Sequence, residues 1–196
     1  WAKRQSRPEL AAPPGPPTTD GIAGFPSNVD VIKSLGGARG VTKRNLLRGI
    51  WAEGVKSDGT LDLSEGPGRA RYTFQSLEGQ GPQPPHEPGT LPRRHYCGKQ
   101  TVHLRHEGLV ADPDITDYPC PAQVTDPLPE PRCGFADVWR HALSQGAPRE
   151  RLARIEYYRS RVGPAWRFEI PGTPQRFALY GDCGRQLDEG EATLVQ

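Results

Sequence analysis

The 196-residue sequence predicts an α+β protein of two related halves, each a helix followed by an antiparallel sheet, joined by a long Pro-rich connection. Three observations point there. Helix and strand patterns follow one another in the same order in 28–76 and 133–183. The stretch 77–132 between them holds half of the 22 prolines. Four cysteines, Cys97, Cys120, Cys133 and Cys183, form an even set without the CxxC spacing of a zinc or redox motif, so a disulfide framework is expected.

Residues 1–27 carry Pro8, Pro13, Pro14, Pro16, Pro17 and Pro26 with few apolar residues; this composition favours extended polyproline conformation over packing and predicts a spacer. Asn28 can cap a short helix containing Val29, Val31, Ile32 and Leu35, ended by Gly36-Gly37. A segment rich in Leu46, Leu47, Ile50 and Trp51 follows. A strand pair is then expected over 54–56 and 60–63 around the Ser57-Asp58-Gly59 turn, with a further strand at 71–74 after Gly66-Pro67-Gly68. Within the connection, 79–92 shows no pattern. Over 100–110, Val102 and Leu104 alternate with His103 and Arg105, which predicts one strand docked on a sheet.

The second half begins with a helix over 134–143, placing Phe135, Val138, Trp139 and Ala142 on one face, with Gly146 and Pro148 to stop it. Residues 152–162 lead to a Gly163-Pro164 turn, a strand over 166–170, a Pro171-Gly172 turn and a strand over 176–180. Residues 184–196 read as a polar tail. Asp30-Val31 and Asp137-Val138 lie 107 residues apart, as do Leu61 and Phe168, while Tyr72 matches Phe177 after a two-residue adjustment. Equal spacing of equivalent elements predicts a duplication.

The element order over 28–76 and 133–183, the two Asp-Val pairs and the turns at Asp58-Gly59 and Gly163-Pro164 resemble the PepSY-like and cystatin-like modules of bacterial envelopes. That resemblance implies small sheets wrapped on a helix and a binding or inhibitory role. It carries no diagnostic motif and assigns no functional residue.

Composition bounds the remaining choices. Arg outnumbers Lys 20 to 5, yet the formal net charge is only +2. With no helix-turn-helix, finger or RNA-recognition motif, nucleic acid is not the expected partner. No run approaches the ~18 apolar residues of a membrane span. The chain lacks Met and begins at Trp1, so a targeting segment is expected to have preceded it; Trp1-Ala2-Lys3-Arg4 would also suit the flank of a membrane helix acting as a tether. For the cysteines, pairing Cys97 with Cys120 and Cys133 with Cys183 is preferred among three connectivities. Disulfides place the chain in an oxidising compartment: periplasm, cell surface or exterior.

No cofactor, metal or catalytic residue is expected. There is no GxSxG, HExxH or P-loop motif. Asp112, Asp114 and Asp117 lack the Gly and terminal Glu of a calcium loop, and His95, His103 and His106 beside Cys97 fit a staple next to a strand better than a metal site. Both halves carry local basic excess, including Arg44 and Arg48 in the first and Arg154, Arg159 and Arg161 in the second. An acidic run from Glu107 through Asp112, Asp114, Asp117 and Asp126 to Glu130 is expected to cross and neutralise this charge. Partner-binding residues are expected among Arg44, Arg48, Arg154, Arg159 and Arg161, with Tyr158 and Trp166 as aromatic anchors where exposed. The expected function is a non-catalytic envelope domain that binds a protein or holds a place in an assembly. The alternatives are a small-ligand sensor of a membrane signalling protein and a hydrolase with an unfamiliar site.

Overall fold

The computed structural model describes residues 28–64, 67–76, 96–119 and 127–195. Among them, two helices and nine strands form one α+β unit: α1 Leu35–Val41, β1 Leu46–Val55, β2 Arg69–Ser76, β3 Tyr96–Arg105, β4 Gly108–Ala111, β5 Ile115–Pro119, α2 Phe135–Ser144, β6 Ala153–Ser160, β7 Gly163–Glu169, β8 Arg176–Tyr180 and β9 Gln186–Leu187. All strand pairs are antiparallel, in the order β4-β3-β2-β1-β6-β7-β8-β9, with β5 also on β3. The spacer over 1–27, the stretch 79–92, and Cys120 with its expected bond to Cys97 lie outside the described residues.

The expectation of two halves joined by a connection is corrected: the described residues form one continuous sheet. Each helix is followed by a meander, β1-β2-β3 or β6-β7-β8, but the meanders join edge to edge through β1 and β6, with Ile50 opposite Tyr157 and Ala52 opposite Ile155. The first strand of each meander would otherwise present unpaired backbone N–H and C=O groups. Pairing them to each other satisfies both edges and fuses the halves into one sheet.

The alternation of the strands separates two faces. Tyr72, Phe74, Val102, Ile155, Trp166 and Phe168 are buried with Phe135, Val138 and Trp139 of α2 and with Val31, Leu35 and Ala38 of the first helical region. Trp139 meets Phe168 edge-on at 5.0 Å, and Phe135 meets Trp166 at 5.7 Å. The polar ends of these rings are also satisfied: Trp139 Nε1 donates to the Val55 carbonyl, Trp166 Nε1 to Gly181 and the Tyr72 hydroxyl to Val31, as buried Trp and Tyr require. Burial accordingly raises the pKa of the Tyr72 phenol, and pushes that of Tyr157 up to about 12.

Cys133, just before α2, is bonded to Cys183, after β8, closing a 50-residue separation. A loop of that size contributes about 4 kcal/mol in the chain-entropy account. The bond is consistent with an oxidising location outside the cytoplasm. Among the described residues no helix is long and apolar enough to cross a membrane.

Several local expectations change. The first helix begins at Leu35 rather than near Asn28 and contains Gly36 and Gly37; Asp30 Oδ1 accepts the Ile32 and Lys33 N–H groups in the turn before it. Gly37 packs closely on β4: a Cβ there would stand 2.8 Å from Leu109 Cδ1, and the Leu109 side chain would have to shift. Residues 54–55 end the ten-residue β1, and 60–63 supplies only the bridges of Leu61 to Val29 and Val55. The strand expected over 100–110 is a hairpin that turns at His106-Glu107. Residues 184–195 are built into the fold: they supply β9 and then cross the outer face, where the Tyr158 hydroxyl donates to the Ala192 carbonyl and Leu194 bridges Ser160.

Candidate functional site

The sheet face opposite the helices carries most of the exposed chemistry. Its side chains line up across strands in register. One row runs Arg69, Glu53, Arg154, Glu169, Arg176 over β2, β1, β6, β7 and β8. Arg154 Nη2 lies 2.8 Å from Glu53 and Nη1 lies 3.5 Å from Glu169, and the hydrogen bond it donates to Glu53 raises its pKa. The next row runs Arg71, Trp51, Glu156, Arg167, Ala178. Arg167 bonds Glu156 at 2.9 Å and lies over the Tyr158 ring at 4.5 Å. Opposite charges at directly facing positions are the favourable cross-strand arrangement, so much of this face neutralises itself.

This organisation disperses the expected partner-binding set. Arg44 is 8% exposed and is bonded by Nε and Nη2 to the Asp114 carboxylate, with Nη1 donating to Ser76. Its guanidinium lies against Gly98, where a Cβ would come within 1.9 Å of Cζ. Arg39 likewise bonds Glu130, so acids of the connection do meet arginines of the first half. Arg159 turns to the helix side and donates to the Pro127 carbonyl. Arg154 belongs to the charge row above, and Arg161 is exposed at the turn after β6. Tyr158 and Trp166 are 2% and 0% exposed. Neither meets the condition for an anchor, because each fills a gap in a chain poor in hydrophobes. Of the named set, Arg48 and the buried Tyr158 line the site described next.

That site lies where β1 and β6 part. Both pair as far as Ile50 and Tyr157; before Ile50, a bulge between Leu47 and Gly49 shifts the register of β1 against β2. A bulge bends its strand and re-aims side chains. The resulting fork is flanked by two segments: Leu128 N–H donates to the Leu47 carbonyl, and Val195 N–H donates to Arg159. On the outer face it opens into a groove of about 450 Å³ lined by Arg48, Trp51, Arg71, Gln75, Lys99 and Tyr158, with Leu194 and Val195 as one wall.

Two residues of the groove differ from their surroundings. Gln75 is 3% exposed, yet its Oε1 has no hydrogen-bond partner among the described residues. Arg71 lies over the Trp51 ring, 4.7 Å from guanidinium carbon to centroid, and no carboxylate of the described residues pairs with it, although Arg69, Arg154 and Arg167 on the same face all have one. A buried acceptor without a donor costs about 1–3 kcal/mol. The arrangement can therefore receive a group that is both anionic and a hydrogen-bond donor. Sequence reading named Arg48 and Trp51 but passed over Arg71, Gln75 and Lys99. The available signal was the polar series Arg71, Thr73, Gln75 alternating with Tyr72 and Phe74.

Among the described residues, no group of three or more His, Cys, Asp or Glu side chains is arranged to hold a metal ion. Asp112 instead faces His103 at 2.9 Å, and Asp114 is taken by Arg44. No protein-family model, no curated protein and no solved structure matches this chain.

Proposed function

We propose that this chain is a non-catalytic interaction domain that works outside the cytoplasm, in the periplasm, at the cell surface or secreted, and binds a protein partner through the groove at the β1–β6 fork. The observation that carries this reading is a contrast on the outer face: Arg154 and Arg167 are held by carboxylates across strands, whereas the groove presents Arg71 without a carboxylate and Gln75 Oε1 without a donor among the described residues. The disulfide supports the compartment. Duplication of a helix-and-meander unit accounts for the repeated element order and for Ile50 and Tyr157, 107 residues apart, facing each other at the seam.

Site-specific photo-crosslinking in the producing cell tests the proposal. A crosslinker at Thr73 in the groove yields a discrete protein adduct, and one at Arg140 on the exposed side of α2 does not. Absence of a protein adduct at Thr73 would contradict the reading. The volume of the groove, within the ~300–1,000 Å³ of small-molecule sites, favours a small-ligand sensor as the second reading. In that case the Thr73 position captures no protein, and a low-molecular-weight fraction of the native compartment raises the melting temperature.

A further inference from the structure

We infer that the occupant of the groove is an extended acidic peptide segment, with an Asp or Glu side chain on Arg71 and a peptide N–H donating to Gln75 Oε1; this rests on the protein-binding reading above. Arg71 supplies a planar fork of donors held by the Trp51 ring, the geometry that grips a carboxylate bidentately. Arg48 and Lys99 line the same groove, and the acid beside them, Glu156, is bonded to Arg167. Gln75 Oε1 asks for a donor rather than a second acid, which excludes a bare anion as the complete ligand.

An extended peptide satisfies both demands, because it brings an N–H at every residue and a carboxylate at chosen ones. The groove already has extended chain for a wall: Leu194 bridges Ser160, and the backbone of Thr193 and Val195 bonds Arg161 and Arg159. Gly49 also lines the groove, and a Cβ there would lie 3.4 Å from the Tyr157 carbonyl. Leu194 is 42% exposed and, with the Trp51 ring, offers apolar contact beside the acidic residue.

The full chain, with its disulfide intact, is panned against a phage-displayed random peptide library, and enriched peptides are measured as free peptides. The expected consensus contains Asp or Glu next to an apolar residue. Arg71→Glu weakens these peptides at least roughly thirtyfold and enriches Lys- or Arg-containing peptides in their place. Gln75→Met, close in shape, weakens the original peptides roughly tenfold. Circular dichroism melts confirm that both variants fold; a variant that does not is replaced by Arg71→Gln or Gln75→Leu. Acidic peptides that bind both variants as well as the parent overturn this inference and leave the protein-binding reading intact. Failure to enrich any peptide overturns it too, and the Thr73 crosslink then decides the broader reading independently. Binding of an acidic oligosaccharide such as oligogalacturonate, dependent on Arg71 and without peptide enrichment, overturns both.

Discussion

On either side of the β1–β6 seam, meanders of similar length carry different outer surfaces. The β6–β8 side is closed on itself. Arg167 bonds Glu156 and covers Tyr158, the Tyr158 hydroxyl reaches Ala192, and Tyr158, Ala165, Ala178 and Leu187 form a small cluster under the returning chain. The β1–β3 side keeps Arg71 without an acid and Gln75 without a donor. On the β6 side Arg154 Nε is also buried without a partner among the described residues, but its guanidinium is held by Glu53 and Glu169. Buried polar groups seldom go without partners, and neither Arg71 nor Gln75 Oε1 has such a hold among the described residues, so the first surface behaves as structure and the second as a site. The disulfide clamps α2 to the end of β8.

The largest expected difference between the two sides is in unfolding free energy. Trp166→Ala, removing the ring between Phe135 and Tyr157, should lower stability by roughly 3–5 kcal/mol. Trp51→Ala on the outer first side should cost under about 1 kcal/mol. Equal losses in urea titrations would erase the distinction. Next, replacing Cys133 and Cys183 together by Ala should remove about 4 kcal/mol, and hydrogen exchange should show α2 and β8 losing protection before β2 and β3. A smaller effect is expected at the strap: Tyr158→Phe deletes the 2.6 Å bond to Ala192, costing about 1 kcal/mol and accelerating exchange at Arg161 and Val195.

The smallest effect is a pH dependence at the start of α2. The Gly134 N–H bonded to Asp137 Oδ2 at 2.8 Å, together with Arg140, holds the Asp137 carboxyl below its ordinary value of 3.8 against the opposing effect of burial. A carboxyl depressed in the folded state contributes stability above its unfolded pKa, and that contribution disappears as pH falls through the folded value. Asp137→Asn should therefore lower stability by a few tenths of a kcal/mol at neutral pH, given its exposure. The variant and parent should converge as pH drops below about 4, which acid unfolding curves check.

Legibility in the sequence differed between the sides for physical reasons. The helix over 134–143 and the strands around Gly163-Pro164 and Pro171-Gly172 were readable, because apolar spacing and stop residues agree there. β1 was not: its buried residues Leu47, Ile50, Ala52 and Val55 are spaced unevenly, since bulges at Gly49 and Gly54 each add a residue and disturb the period of two. Gly54 takes φ 79° to do so. α1 forms with three glycines, of which Gly37 alone packs against Leu109, so its low helix propensity hid it from the sequence. The edge-to-edge seam and the inward turn of Arg159 depend on strand phase; adjacent Tyr157 and Tyr158, both aromatic and on opposite faces, leave that phase unmarked in the sequence. The groove was missed because its key residue, Gln75, is distinguished only by a missing partner.

The melting temperature of Gln75→Met, in the absence of any ligand, tests the functional contrast most directly. If the Gln75 carbonyl is held for a partner, deleting it removes a buried unsatisfied acceptor and the free chain melts about 2–4 °C higher. A lower melting temperature would show that Gln75 is bonded within the fold, and the groove would then be structure like the rest of the outer face.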